Sequence, residues 1–428
     1  MPVLSFGKLR ASYGVNGNAS GIGAYELQGA YSAQAAYDGS VGFLIGTLPN
    51  PSLRWEKTTT FEVGADLSFW QNRLNANFTF YNRLTDDKYA ALKLPQTTGF
   101  SSVTNNNGQF RNRGIELELS GKIIQNRDWR WVASANISYN KNTIVKLPDN
   151  GLPRNRQDGV ELYTGNGNET EWYGGYQEGQ EPGMVYGYIV EKMARSESDF
   201  PAGYYVTSGH WNGFWQYAPA DYDKLANKSN AVRLQGGDFI YKDINGDGHI
   251  DVHDQAVLGN TIPHWTGGFN TTLSWKGLSL YARFDYALGF YLQDWYNSNG
   301  MVWMLGCMQG TYNMPTLVKD TWTPENPNAT FPRYVFADQL GPGNYYKLNS
   351  FWTHRADYLA IREISLSYAF PKAFMDKIRC KGLTLSVTGQ NLGYITAAKW
   401  VASPETGGTR GVGYGLPRTI LFGVDVTF

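Results

Sequence analysis

The sequence is short of charge and shorter still of cysteine. Only 17% of its 428 residues are Asp, Glu, Lys or Arg, against about 25% in an ordinary globular chain. The 37 basic and 37 acidic residues cancel, so the basic excess that nucleic-acid binding calls for is missing and no nucleic-acid partner is expected. Two cysteines, Cys307 and Cys380, make neither a disulfide framework nor a zinc cluster. No run approaches the roughly 18 apolar residues of a membrane-crossing helix. The longest, MVWMLGCM at 301–308, is far too short. The first residues, MPVLSFGKLR, hold no long apolar core of the kind a secretory leader carries. Neither a GxSxG elbow nor a phosphate-cradling GxxxxGK[ST] occurs, and no enzyme is expected. His249 and His253 are four apart, but on an expected loop, where zinc would lack both the helix and a third ligand. Without a spanning helix, the one remaining way through a bilayer is a closed β-barrel, in which every backbone polar group is paired.

What the sequence does hold is aromatics (15%, including 29 Tyr), 49 Gly and a strong period of two. In TTFEVGADLSFW, Phe61, Val63, Ala65, Leu67 and Phe69 fall on one face and Thr60, Glu62, Gly64, Asp66 and Ser68 on the other. QNR then turns into LNANFTFY, with Leu74, Ala76, Phe78 and Phe80 against Asn75, Asn77, Thr79 and Tyr81. Two alternating runs joined by a few turn residues read as a hairpin. The same device recurs in GIELELSGKI and WRWVASANISY around NRD, in HWTGGFNTTLSW and LSLYARFDYAL around KG, and in EISLSYAF and LTLSVTGQNL.

A soluble sandwich with one wet face would also alternate. Three features favour a transmembrane barrel. Apolar faces begin or end in Trp or Tyr, as at a membrane interface, and the opposite faces carry Glu, Arg, Asp and Asn, as a watery lumen would. The runs suit tilted spanning strands of about ten residues. Short turns alternate with long Gly/Asn/Pro-rich segments, as periplasmic turns alternate with outer loops. The last run, PRTILFGVDVTF, is itself amphipathic and closes on Phe428. Counting back from it places every short turn on the periplasmic side. The expected fold is all-β: a transmembrane antiparallel β-barrel wall of about ten strands with long extracellular loops. The strands are expected near 4–13, 57–70, 73–84, 110–123, 129–141, 264–275, 278–288, 356–370, 382–392 and 416–428. A long outer excursion is expected at 142–263, with short extra strands in MVYGYIVEKM and GDFIYKDI. Glu116 and Glu118 share the polar face and read as solvated wall residues, not as a glycosidase acid pair.

Five stretches together carry a family resemblance: FGKLRASYGVNGN (6–18), LRWEKTTTFEVGADLSFWQNRL (53–74), RNRGIELELSG (111–121), YKDINGDGHIDVHDQAVLGNTIPHWTGGFN (241–270) and the closing SPETGG…GLPRTILFGVDVTF. In that order they resemble the SusC/RagA-type TonB-dependent transporters, outer-membrane importers of Gram-negative bacteria. The resemblance implies a 22-stranded barrel, an N-terminal plug domain and a TonB box. It also implies a SusD-like surface lipoprotein as lid, and oligosaccharide or peptide cargo. Nothing ahead of Phe6 resembles a plug or TonB box. Residues 1–428 are therefore expected to be the C-terminal part of such a barrel, with TonB engaged through an N-terminal region that this chain lacks. A further gene segment or another chain would supply that region.

One stretch is unlike a barrel wall. DINGDGHIDVHDQ follows the calcium-loop pattern: Asp243, Asn245 and Asp247 at positions 1, 3 and 5, Gly248 at 6, His249 at 7 through its carbonyl, Asp251 at 9 and Asp254 at 12. Asp254 stands where Glu is usual. Ca2+ is the expected ion, stapling an outer loop; a metal-free turn rich in Asp and Asn is the alternative. The outer loops are also crowded with aromatics. Trp172, Trp211, Trp215, Trp295, Trp303 and Trp352 read either as stacking platforms for sugar rings or peptide side chains, or as packing within the loops and against the lipoprotein. The leading expectation is nutrient import through the outer membrane. The alternatives are a calcium-dependent glycan-binding or adhesion β protein, and, more weakly, an outer-membrane enzyme barrel.

Overall fold

A computed structural model describes residues 3–23, 25–37, 40–163, 169–200, 206–208, 216–217, 231–294, 316–333, 348–401, 403–405 and 416–428. Its frame is one ten-stranded antiparallel sheet whose spatial order follows the chain. The strands are β1 (Leu4–Asn18), β2 (Glu56–Phe69), β3 (Leu74–Lys93), β4 (Ser102–Gln125), β5 (Trp129–Lys146), β6 (Trp265–Trp275), β7 (Leu278–Leu288), β8 (Tyr358–Ala369), β9 (Gly382–Thr396) and β10 (Thr419–Thr427). Every neighbour is a meander neighbour, the simplest topology that local turns can build.

The turns explain the meander. Between β2 and β3, Trp70, Gln71 and Asn72 all take positive φ (49°, 56° and 63°), and the Gln71 N–H donates to Ser5 Oγ at 2.6 Å. Between β4 and β5, Asn126 Oδ1 accepts the N–H groups of Asp128 and Trp129, an Asx turn. Lys276 and Gly277, with φ of 45° and 94°, join β6 to β7 as a two-residue turn with both φ positive, which matches strand twist. The fourth short connection, β8 to β9, contains the helix Lys372–Ile378.

Cross-strand registers sort the side chains into rows. One row on the first face runs Val63, Phe80, Ile115, Tyr139, Trp265, Leu288. Another runs Trp129, Trp275, Leu278, Tyr368, Leu385, Val424. These rows hold the two aromatic edges of an apolar band. Tyr139 meets Trp265 at 4.7 Å at one edge, and Trp129 stacks on Trp275 at 5.6 Å at the other. Ten residues separate Trp129 from Tyr139. At about 3.4 Å per residue and about 40° of tilt, that is roughly 26 Å along the membrane normal. The hydrocarbon band of an outer-membrane barrel is about 25 Å tall. Phe78, Leu119, Ile137, Phe269, Leu280, Leu366 and Phe422 in the band are exposed in the isolated chain. The apolar rows therefore face outward to lipid and are not tucked between stacked sheets, which removes the soluble-sandwich alternative. The opposite face is polar: Arg10, Gly64, Thr79, Glu116, Ser138 and Thr266 form one row. There the Arg10 guanidinium donates to Glu62, Asp66 and Thr79 at 3.1, 3.2 and 2.7 Å.

All ten expected strands are present within a few residues, with one difference of length. β3 and β4 run on to Lys93 and Ser102, well past the expected 84 and 110. The Asn-rich VTNNNGQ, which reads as loop, pairs with β3 as a ribbon standing above the membrane band. On the other flank β6 begins at the Trp265 edge itself. The rim of the sheet is thus tall along β3–β5 and low along β6–β8.

The largest buried cluster lies outside the sheet. Tyr188, Phe200, Leu234, Phe239, Tyr241, Phe331 and Trp352 are all 3% exposed or less and pack together where the 147–264 and 289–357 connections meet. Backbone bonds Tyr188 N–H to Leu348 O (2.8 Å) and Ser350 N–H to Tyr188 O (2.9 Å) join the two connections. So does the Arg333–Asp238 pair, at 2.6 and 3.2 Å, with Asp238 fully buried. The expected short strands are there: Met184–Tyr188 pairs with Gln255–Asn260, and Val190–Met193 with Phe239–Tyr241.

Candidate functional site

Between this loop lobe and the polar face of the sheet lies a cavity of about 740 Å³. Ligand sites commonly measure roughly 300–1,000 Å³ and combine an apolar lining with a few placed polar groups. Met184, Val185 and Tyr186 come from the strand beside Gln255–Asn260, and Phe290 and Leu292 from just past β7. The floor is Arg362 with Glu405.

Arg362 reaches the cavity because β8 carries a bulge. The register with β7 and β9 shifts between Ile361 and Glu363, so an extra residue is inserted. Its guanidinium donates to Asp285 Oδ2 at 2.8 Å from β7 and to the Glu405 carboxylate from the last long connection. One cation thus bridges wall and loop and closes one side of the cavity. The sequence reading missed it. The signal was present in YLAIREISLSY, where the apolar phase set by Leu359 and Ile361 slips by one before Ile364, Leu366 and Tyr368, as a bulge requires.

The calcium-type loop borders the same cavity. It starts after the buried Tyr241 and ends at Gln255, which lines the cavity. Asp243 accepts the N–H groups of Gly246 and Gly248 at 2.6 and 2.8 Å. Gly246 and Gly248 have φ of 77° and 82°, where a Cβ would be strained. Asn245 and Asp247 each accept from a backbone N–H two residues on. The Asp254 carboxylate lies fully buried and takes the N–H groups of Ile244 (2.7 Å) and Asp251 (2.9 Å), tying the start of the loop to its end. Burial holds the Asp254 carboxyl above its ordinary range, and the negative charges of Asp243 and Asp251 push it the same way. His249 belongs to a two-residue strand paired with Gln216–Tyr217. Among the described residues no three His, Cys, Asp or Glu side chains converge as a ready metal cluster. The loop conformation is held by hydrogen bonds from its own backbone N–H groups.

Within this loop, His253 contacts Asp251 at 3.0 Å and lies edge-on to Tyr173 at 4.8 Å. Burial, together with the hydrogen bond and charge of Glu171, pushes the Tyr173 phenol up to about 12. Of the six tryptophans, Trp172 lies half-buried on the short strand Thr170–Tyr173. Trp352 is a correction. It is 1% exposed, with Phe331, Phe351 and Trp400 around it, so no ring face is free to stack on a ligand. Trp211, Trp215, Trp295 and Trp303 lie outside the described residues.

A sheet that is greasy outside, polar inside, banded by aromatics and capped by a loop lobe defines the wall of an outer-membrane β-barrel. The chain belongs to the TonB dependent receptor-like, beta-barrel family, whose pattern it matches over residues 4–222. It is 30% identical over 387 residues to the TonB-dependent receptor P39 of Formosa agariphila, covering 87% of this chain and 34% of that protein. It is 25% identical over 382 residues to the TonB-dependent receptor SusC of Bacteroides thetaiotaomicron, covering 89% and 32%. Among solved structures, the RagAB peptide transporter superposes over 100% of this chain and 41% of its own, with a TM-score of 0.69 and 25% identity. The RagAB peptide importer in its closed-closed state gives 0.68 and 26%. The chain spans about a third of the length of the curated relatives it matches. It is an outer-membrane protein of SusC/RagA type.

Proposed function

We propose that this chain supplies the wall and outer vestibule of an importer that draws oligosaccharide or peptide through the outer membrane. A SusD-like lipoprotein closes over the loops, and TonB acts through parts of the protein outside residues 1–428. The cavity above the Arg362–Glu405 bridge carries this reading: among the described residues it is a ligand-sized space enclosed by outer loops and polar wall. Its lining mixes aliphatic side chains with the rings of Tyr173, Tyr186, Phe290, Tyr291 and Tyr358, which suit peptide side chains and sugar rings alike; likeness to the RagAB peptide transporter favours peptide. Ala287 lines the cavity from the wall. In the complete protein, Ala287→Trp fills the space; uptake of labelled peptides by cells should fall at least tenfold while the amount of barrel in the outer membrane stays unchanged. Normal uptake would dismiss the cavity as a cargo site. Loss of oligosaccharide uptake alone would reverse the cargo assignment.

We further infer that Asp243, Asn245, Asp247, the His249 carbonyl, Asp251 and Asp254 form a calcium site. The Asx-rich spacing and the mutual repulsion around the buried Asp254 support it, since a divalent cation would relieve that repulsion. Titration of the complete protein with calcium, read by calorimetry, should show one site that Asp243→Ala removes. No calcium-dependent heat would leave the metal-free turn.

A further inference from the structure

The outward face of the sheet carries a group of basic residues a little above the apolar band. Arg113 and Lys141 stand directly opposite each other on β4 and β5. They lie one row beyond Ile115 and Tyr139, which belong to the upper aromatic edge. Arg111 lies one row higher, opposite Thr143. Arg111, Arg113 and Lys141 are all exposed. The Arg113 guanidinium sits over the ring of Phe80 at 5.5 Å, which keeps it on the lipid side of the wall. Two like charges directly opposite across a strand pair destabilise it, so the arrangement needs an anion to balance it.

The protein provides little. Lys141 reaches Glu181 at 3.5 Å, but that carboxylate is also held by His264 at 2.6 Å and Asn260 at 2.9 Å. Asp86, the nearest acid on the rows above, is engaged by Gln109. Among the described residues neither Arg111 nor Arg113 has a carboxylate partner.

Each two-residue step along a tilted strand rises about 5 Å. Arg113 and Lys141 therefore lie about 5 Å, and Arg111 about 10 Å, above the edge of the hydrocarbon, at the depth of lipid headgroups. Arginine forks match phosphate oxygens in pairs, which lysine as a point charge then supplements. We propose that Arg111, Arg113 and Lys141 form a docking site for the phosphate of an outer-leaflet lipid, whose chains lie against Phe80, Ile115 and Tyr139. The site rests on the outer-membrane placement of the sheet and is independent of the cargo cavity.

The test uses the complete protein in nanodiscs with a phosphorylated outer-leaflet glycolipid, or with the same lipid after enzymatic removal of its phosphates. Copies retained after delipidation are counted by native mass spectrometry. The unaltered protein should hold the phosphorylated lipid and lose the dephosphorylated one. Arg111→Gln with Arg113→Gln should weaken retention roughly thirtyfold, from about fivefold per basic residue at an anionic surface. The lumen-facing control Arg130→Gln should leave retention unchanged. Heat-shifted gel mobility confirms that each variant is folded. Equal retention by the folded double variant, or equal retention of both lipids, would overturn the proposal. So would loss of retained lipid on adding inorganic phosphate with no preference between the two lipids.

Discussion

Exchanging Phe269 for arginine separates the two faces of the wall most sharply. Phe269 is four residues from Trp265 and six from Trp275 on β6. Along a tilted strand those distances are about 10 Å and 16 Å from the two aromatic edges, so the side chain sits near the bilayer midplane. An arginine facing lipid there costs about 2–4 kcal/mol. Phe269 also stacks on Phe284 at 4.6 Å, and loss of that pair adds about 0.5–1.5 kcal/mol. Phe269→Arg is therefore expected to destabilise the complete barrel by roughly 3–5 kcal/mol. Its neighbour Asn270 faces the lumen in a row with Ser134 and Arg283, and Asn270→Arg should cost under about 1 kcal/mol. Leu288→Arg, at the upper edge opposite Trp265, should also fall near 0–1 kcal/mol. The assay is equilibrium urea unfolding in lipid vesicles, with folded protein scored by heat-modifiable gel mobility. Equal costs for Phe269→Arg and Asn270→Arg, or a larger cost at Leu288, would refute the assignment of faces and depth.

Other perturbations probe the loop lobe and its link to the wall. Gly187 has no room for a side chain, because a Cβ would overlap the Leu348 carbonyl. Gly187→Ala should raise protease sensitivity of the 147–264 and 289–357 connections without reducing barrel assembly. Asp238→Ala removes the buried carboxylate that Arg333 grips and should loosen the same lobe by about 3 kcal/mol, seen as faster amide exchange around Phe239 and Phe331; unchanged exchange would contradict the pairing. Arg362→Gln should free the segment around Glu405, measured as faster labelling of a cysteine introduced at Ser403 than in the parent.

The ten wall strands were legible because a lipid face and a water face impose a strict period of two. Each hairpin also announces itself: QNR, NRD and KG supply the positive-φ or Asx residues that tight turns require. Legibility failed where that alternation stops being the rule. β3 and β4 leave the membrane before they end, so Asn-rich residues continue a strand whose outer face no longer needs to be apolar. Arg362 hid in a phase slip of one residue. The loop lobe was least readable of all. Its core joins segments as distant as Tyr188 and Trp352, and composition does not say which aromatic rings are covered. Trp352 therefore resembled a ligand platform although it is a keystone of packing. The cavity walls, MVYGY and the turn after β7, belong to short strands whose partners are fixed only by long-range contacts.

The unequal rim gives the entrance a direction. Past the Phe80–Ile115 level, β3 and β4 each continue for thirteen residues, roughly 44 Å of paired ribbon. β6 and β8 offer no such extension. A stiff palisade on one flank resists bending, while the cut-down flank leaves the chain free to leave the sheet and return. A body seated on the mouth therefore meets a wall on one side and open space on the other.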